Sequence, residues 1–222
     1  GNNHPPAVFG AGSNQPLWLP WDGTPSVYLT GASGNYVSCP DAAALDITGD
    51  LDIAVWATLD SWASGGNQAL AGKWLSTGNQ LSYQLRVNST GNVLILISTT
   101  GLGGGAVVTW TSSVALNLSA GTQRWVRGTL DVNNGAGGST AKFYTSTDGA
   151  TWTQLGADVT GAVAAPFAGS AALELGSESA GTTSLVAGRI HRAIVRSGIG
   201  GTTVADFDAS LCGQSGYTDA QG

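Results

Sequence analysis

Leu51-Asp-Ile-Ala-Val-Trp-Ala-Thr-Leu59, Leu81-Ser-Tyr-Gln-Leu-Arg-Val87 and Val93-Leu-Ile-Leu-Ile97 decide the fold. Side chains of a β-strand point alternately to its two faces, so period-two alternation assigns each residue a side. In the first segment Leu51, Ile53, Val55, Ala57 and Leu59 form the inward set, leaving Asp52, Ala54, Trp56 and Thr58 outward. In the second, Leu81, Tyr83, Leu85 and Val87 point inward and Gln84 and Arg86 outward. The third is apolar on both faces, which predicts a central strand covered on both sides.

The same pattern extends in both directions. From residue 36 to residue 213, strand follows strand, cut by Gly-, Asn- and Ser-rich turns. The segments are 36–38, 51–59, 68–74, 81–87, 92–98, 106–112, 124–132, 140–146, 151–155, 172–176, 187–195 and 204–208. Only residues 42–45 offer a single helical turn. So many short strands with close turn signals predict one all-β domain, an antiparallel two-sheet sandwich. Asp148-Gly149 between two alternating runs marks a hairpin over residues 142–155. Residues 1–34 differ: Pro5, Pro6, Pro16, Pro20 and Pro25 fall there, beside Trp18, Trp21 and Tyr28. Proline suits strand interiors poorly, and disordered tails seldom carry such rings. The segment reads as an extended docking arm, Trp18, Trp21 and Tyr28 its anchors. Residues 27–29 offer one further strand, residues 35–213 form the domain, and 214–222 a tail.

Composition narrows the function. The net charge is −6 with only 22 charged residues in 222, so the basic stripe that nucleic-acid binding needs is absent. Arg189, Arg192 and Arg196 are the one basic run and read as a solvated strand face. The longest apolar run, 93–97, is too short for a bilayer, so membrane insertion is not expected. Ser, Thr, Asn and Gln must supply most of the polar surface, which suits sugar hydroxyls or a protein partner. Cys39 and Cys212 lie at the first strand and just after the last; two free thiols or one disulfide both fit that placement.

Four further segments carry a resemblance: 41–53 (Asp41-Ala-Ala-Ala-Leu-Asp-Ile-Thr-Gly-Asp-Leu-Asp-Ile), 72–83 (Gly72-Lys-Trp-Leu-Ser-Thr-Gly-Asn-Gln-Leu-Ser-Tyr), 125–135 (Trp125-Val-Arg-Gly-Thr-Leu-Asp-Val-Asn-Asn-Gly) and 143–152 (Phe143-Tyr-Thr-Ser-Thr-Asp-Gly-Ala-Thr-Trp). In order, they resemble the laminin-G-like (concanavalin A-like) jelly-roll domains, most nearly those on tail and virion-surface proteins of actinobacterial phages. The resemblance implies an all-β, two-sheet antiparallel jelly-roll sandwich. It also implies a non-catalytic module on a virion surface, in the tail or capsid. Its arm would contact other virion proteins or copies of itself, and its sandwich would contact host-envelope glycans. A structural decoration protein without a sugar ligand and a secreted bacterial carbohydrate-binding module are the alternatives.

Glycan contact needs exposed aromatic rings. Trp56 by parity, and Trp62, Trp74 and Trp110 by strand-end placement, are the expected carbohydrate-binding residues. Trp125 stands where the resemblance implies a core Trp, and Trp152 is expected to pack on its hairpin. Some glycosidases of this fold carry two Glu four apart with an Asp between them. Glu174 and Glu178 have that spacing, but Gly176 stands between them, so no enzymatic activity is expected. No cofactor is expected. Calcium is the alternative, with Asp60, Asp131, Asn133 and Asn134 as its candidate oxygen ligands.

Overall fold

A computed structural model describes residues 24–211, together with the backbone of two short strands at 8–9 and 17–18. The strands, numbered in chain order, form two antiparallel sheets. Seven build one sheet in the order β1 (Val8–Phe9), β4 (Val37–Cys39), β14 (Leu173–Leu175), β6 (Gln68–Leu75), β7 (Gln80–Val87), β8 (Val93–Ser98) and β9 (Val107–Thr111). Nine build the other. Its path runs β12 (Thr153–Gln154), β11 (Gly138–Ser146), β10 (Gln123–Asp131), β5 (Leu51–Leu59), β15 (Ala187–Ser197), β3 (Val27–Thr30) and β2 (Leu17–Trp18). To it are added β13 (Val159–Ala162), paired with β11, and β16 (Thr202–Asp208), paired with β15. The architecture is the expected all-β jelly-roll sandwich, and Ala43–Leu45 forms the expected single helical turn, of 3-10 type.

Alternation places the core. Leu51, Ile53, Val55, Ala57 and Leu59 of β5 all enter the space between the sheets, as their period predicts. They meet Tyr83, Leu85 and Val87 of β7 and Val93, Ile95 and Ile97 of β8 from the opposite sheet. Burying each such side chain contributes about 1.5–3 kcal/mol. Gly128 on β10 leaves room for this packing, since a Cβ there would stand 2.8 Å from Ile95 and Leu85. A charged group also sits among these residues. Lys73 is wholly buried on β6, and its Nζ reaches Asp41 and, at 2.8 Å, Asp46. The Tyr83 hydroxyl donates to the Leu45 carbonyl at 3.0 Å. Burial, reinforced by the Asp46 and Asp41 carboxylates, pushes that phenol well above its ordinary range.

Val27 and Leu29 are fully buried and β3 pairs with β15, so residues 27–29 supply the further strand that the sequence offers. Other expectations need correction. Leu81 does not face the core. The register between β6 and β7 slips between Lys73 and Trp74, Ser82 is the extra residue, and the bulge reverses the parity of what precedes it. Leu81 joins Trp74, Leu94 and Leu96 in a separate cluster. β8 is covered on both faces but is next to the edge strand β9, not central. Gln84 lies on the outer face that its period assigns, opposite Leu96, but is covered there and fully buried, donating to Glu178 Oε2 at 2.7 Å.

Candidate functional site

The outer face of the nine-stranded sheet carries a row of rings across its strands. Trp125 on β10 and Trp56 on β5 are direct cross-strand partners. Their rings stack at 5.8 Å with planes 6° apart. On the far side of Trp56 lies His191, 4.6 Å between centroids. A bulge in β15 puts it there. The register with β5 slips between Ile190 and Arg192, so His191 is the extra residue and lies beside Arg192 on the outer face. The Thr58 hydroxyl donates to His191 Nε2 at 2.9 Å, while Nδ1–H donates to the Pro25 carbonyl at 2.9 Å. The ring is thus fixed in one tautomer and one orientation. At the other end Trp152 meets Trp125 edge-on, at 6.2 Å and 74°.

The turn that delivers Trp152 is built by Asp148. Its Oδ1 accepts from Ser146 Oγ (2.8 Å), Ala150 N (2.9 Å) and Thr151 N (2.8 Å). The Thr151 and Ala150 N–H groups, in that order, hold its carboxyl well below the usual carboxylate range. Gly149 sits at φ 73°, where a Cβ would stand 2.8 Å from Trp125 Nε1. Only glycine allows the turn to press this closely on the indole edge.

The next row along the strands is small at its centre. Arg127, Ala54 and Ile194 are successive cross-strand neighbours on β10, β5 and β15. Ala54 and Ile194 pack with Trp125 as an apolar floor outside the main core. Three guanidinium groups rim this floor, each held by a carboxylate of the same sheet face. Arg127 grips Asp52 through Nε (2.9 Å) and Nη2 (2.7 Å). Arg192 grips Asp206 in the same two-pronged way, at 2.8 and 2.5 Å. Arg196 Nη1 lies 3.7 Å from Asp52 Oδ2, and Gly200 N–H donates to that oxygen at 2.9 Å. Asp52 and Asp206 are buried, so forks and carboxylates are preorganised in low dielectric. Arg127 also lies 5.3 Å from the Trp152 ring and 5.5 Å from Tyr144.

Together these groups enclose a cleft of about 360 Å³, floored by Ala54 and Ile194 and walled by Trp125, Trp152, Gly149 and the three arginines. Beside it on the same sheet face is a second basin of about 370 Å³, lined by Thr129, Thr140, Tyr144, Ile199 and the ion pair Lys142–Asp158 (3.2 Å). Both are in the size range of small-molecule sites. They present apolar ring faces, rigid N–H donors and hydroxyls.

The expected aromatic residues are distributed otherwise. Trp62 and Trp110 are each 1 % exposed and belong to the main core, which corrects their expected exposure. Trp62 Nε1–H donates to the Thr122 carbonyl at 3.0 Å. Trp110 presses on Gly161, where a Cβ would lie 2.7 Å from its Nε1. Trp74 is buried in the small cluster on the outer side of the seven-stranded sheet. Trp56 does lie on the outer face, but clamped between His191 and Trp125 it braces the wall and does not line the cleft. Trp125, expected in the core, is buried in the outer-face cluster instead. Of the basic run, Arg192 and Arg196 line the cleft, whereas Arg189 lies over the Tyr28 ring at 5.1 Å. Tyr28 is thus a half-buried residue of β3, and the side chains of Trp18 and Trp21, like Cys212, lie outside the described residues.

Glu174 and Glu178 are engaged in structure. Glu174 is buried, and its carboxylate accepts from Ser177 Oγ (2.6 Å), Ala180 N (2.7 Å) and Gly181 N (3.2 Å). Glu178 accepts from Gln84 Nε2 and, at 2.9 Å, from Ser184 Oγ. Strand β14 ends at Leu175, so Glu178 lies in the following loop and the two do not face one substrate from one strand. The calcium candidates also separate. Asp60 follows one end of β5 while Asp131 ends β10 beside the other, about ten residues or ~33 Å away at ~3.3 Å per residue. Asn134 Oδ1 is occupied by Ala136 N–H at 2.9 Å. Among the described residues no three His, Cys, Asp or Glu side chains group to hold a metal ion.

No protein-family model and no curated protein matches the chain. Solved structures do. The botulinum neurotoxin serotype G binding domain superposes over 94% of this chain with TM-score 0.56 at 8% identity, and a second structure of that receptor-binding domain over 92% with TM-score 0.53 at 8% identity. This chain spans 44–45% of the length of those two domains. The CBM40 of the Ruminococcus gnavus IT-sialidase, bound to α2,3 sialyllactose, aligns over 85% of this chain and 89% of its own, with 15% identity and TM-score 0.48. The neurotoxin superpositions and the sheet topology establish the architecture: the chain is a lectin-like jelly-roll β-sandwich.

Proposed function

We propose that the domain is a non-catalytic carbohydrate-binding module whose site is the outer-face cleft of the nine-stranded sheet. One observation carries this reading: Trp125, Trp152 and three preorganised arginines converge on a floor of Ala54 and Ile194. A pyranose ring has an apolar face that stacks on an indole and equatorial hydroxyls that accept from guanidinium N–H groups. The engagement of Glu174 and Glu178 by loop hydrogen bonds supports a binding role over hydrolysis. One or two stacked rings contribute about 1 kcal/mol each beyond area burial, so affinity falls in the millimolar to high-micromolar range. Useful attachment then requires many copies acting together. The resemblance of four segments to phage domains supports a setting on a virion surface, where such copies occur, with the N-terminal arm contacting other virion proteins or copies of the chain. Secretion as a single module is the other setting.

The test is a glycan array followed by titration of wild type, Trp152→Ala and Arg127→Gln, each checked for an unchanged melting transition. Binding in wild type and its loss in both variants is the expected result. Binding unaltered in both would remove the cleft as the site.

A further inference from the structure

The cleft and its neighbouring basin are two parts of one groove. Positions 125–127 of β10 border the first and positions 129–131 the second. Their centres are about four residues apart, ~13 Å along the strand. The divide between them has two parts. On one side it is the cross-strand pair Arg127–Tyr144, the first lining one basin and the second lining the other. On the other side it is the turn between β15 and β16, where Gly200 borders the first basin and Ile199 the second. Ile199 is 47 % exposed, an apolar side chain held out over the groove by a turn with glycine at both flanks. Its position suits contact with a ligand that passes across the divide.

The charges limit what that ligand is. Three of the chain's eight basic residues line the first basin, yet Asp52, Asp206 and Asp148 balance them one for one. In the second basin Lys142 is paired with Asp158, and Asp131 adds a negative charge. The groove therefore offers directional donors and acceptors without net positive potential, in a chain of net charge −6. An acidic polymer gains nothing there, whereas hydroxyl groups find partners in both basins. Resting on the carbohydrate-binding reading above, we propose that the site takes a neutral saccharide chain laid along β10 across both basins, and that it does not take an isolated terminal sugar or an acidic glycan.

The experiment is titration of ladders of neutral β-glucan, mannan and galactan fragments, from disaccharide to hexasaccharide, with pectic oligogalacturonides of the same lengths as the acidic arm. Affinity for at least one neutral ladder should rise about tenfold or more between the disaccharide and the pentasaccharide, as a second set of contacts of ~1.4 kcal/mol is added. Ile199→Ser, at an exposed position, and Lys142→Ala, at a half-buried one, should each lower pentasaccharide affinity about fivefold while leaving disaccharide binding in the first basin unchanged. A disaccharide that binds as tightly as the hexasaccharide, a length dependence that survives both substitutions, or tighter binding of the acidic ladder would overturn the proposal and leave carbohydrate binding intact. Absence of binding to every ladder at millimolar ligand would overturn both.

Discussion

Trp62 and Trp110 share a residue type with Trp125 and Trp152, and the two pairs have opposite fates. The first pair lies between the sheets, each ring 1 % exposed and surrounded by aliphatic side chains. The second pair lies outside the nine-stranded sheet, supported from below by Ala54 and from the side by Trp56 and a turn. An indole between sheets holds the sandwich together. An indole on a sheet's outer face beside a small residue leaves an open edge for a ligand. For the two rings on strands, Trp110 and Trp125, parity decides which face of the sheet they take, whereas Trp62 and Trp152 lie between strands and are placed by what their loops pack against.

Substitution separates the two roles. Trp110→Ala should cost about 3–5 kcal/mol in chemical denaturation, as deletion of a core aromatic does. Trp152→Ala should change stability far less and weaken saccharide binding by about tenfold, since stacking contributes on the order of 1 kcal/mol beyond area burial. Equal stability losses in both would erase the distinction. Gly149→Ala comes next. It forces a left-handed conformation on alanine and drives a methyl group against Trp125, so about 1–2 kcal/mol of stability should be lost together with binding.

Smaller effects come from titration, one on each side of the sheet. Tyr83 lies within the core, where its folded pKa is raised. Its contribution is complete below the unfolded value of about 10 and is lost progressively as pH rises above it. Tyr83→Phe should cost about 1 kcal/mol at neutral pH by removing the bond to Leu45, and its stability should fall less steeply in alkali than that of wild type. Asp148 has the opposite sign. Its folded pKa is lowered, so its contribution is present above the unfolded value of about 3.9 and is lost as pH falls towards the folded one. The stability difference between wild type and Asp148→Asn should be constant from neutral pH down to mild acid and shrink below it. A difference independent of pH would show that the Asp148 turn does not depend on its charge.

The sequence made the sandwich legible because β5 alternates without interruption: Leu51 to Leu59 fall on the faces that their period assigns. The same rule applied to β10 would have found the site. Val126, Gly128 and Leu130 point inward, which turns Trp125 and Arg127 to one outer face. The expectation of a core Trp at 125 came from resemblance, and parity outweighs it. Two features had no local signal. The bulges at Ser82 and His191 contain no Gly or Pro, and each is fixed by its partner strand and by a carbonyl distant in sequence, Phe167 for Ser82 and Pro25 for His191. The first reverses the side assigned to Leu81, and the second brings His191 against Trp56. Nor does strand-end placement tell a loop-covered ring from an open one, which is why Trp62 and Trp110 were expected on the surface. Their cover comes from residues distant in sequence, Thr122 for one and Gly161 for the other.

The most direct test of the central claim is to follow the indole N–H resonances by heteronuclear NMR while a neutral oligosaccharide mixture is titrated into the intact chain. The signals of Trp125 and Trp152 should move progressively with ligand while those of Trp62, Trp74 and Trp110 stay in place. Movement of Trp74 with Trp125 and Trp152 unchanged would put the site on the other sheet. No movement of any indole at saturating ligand would contradict carbohydrate binding at this face altogether.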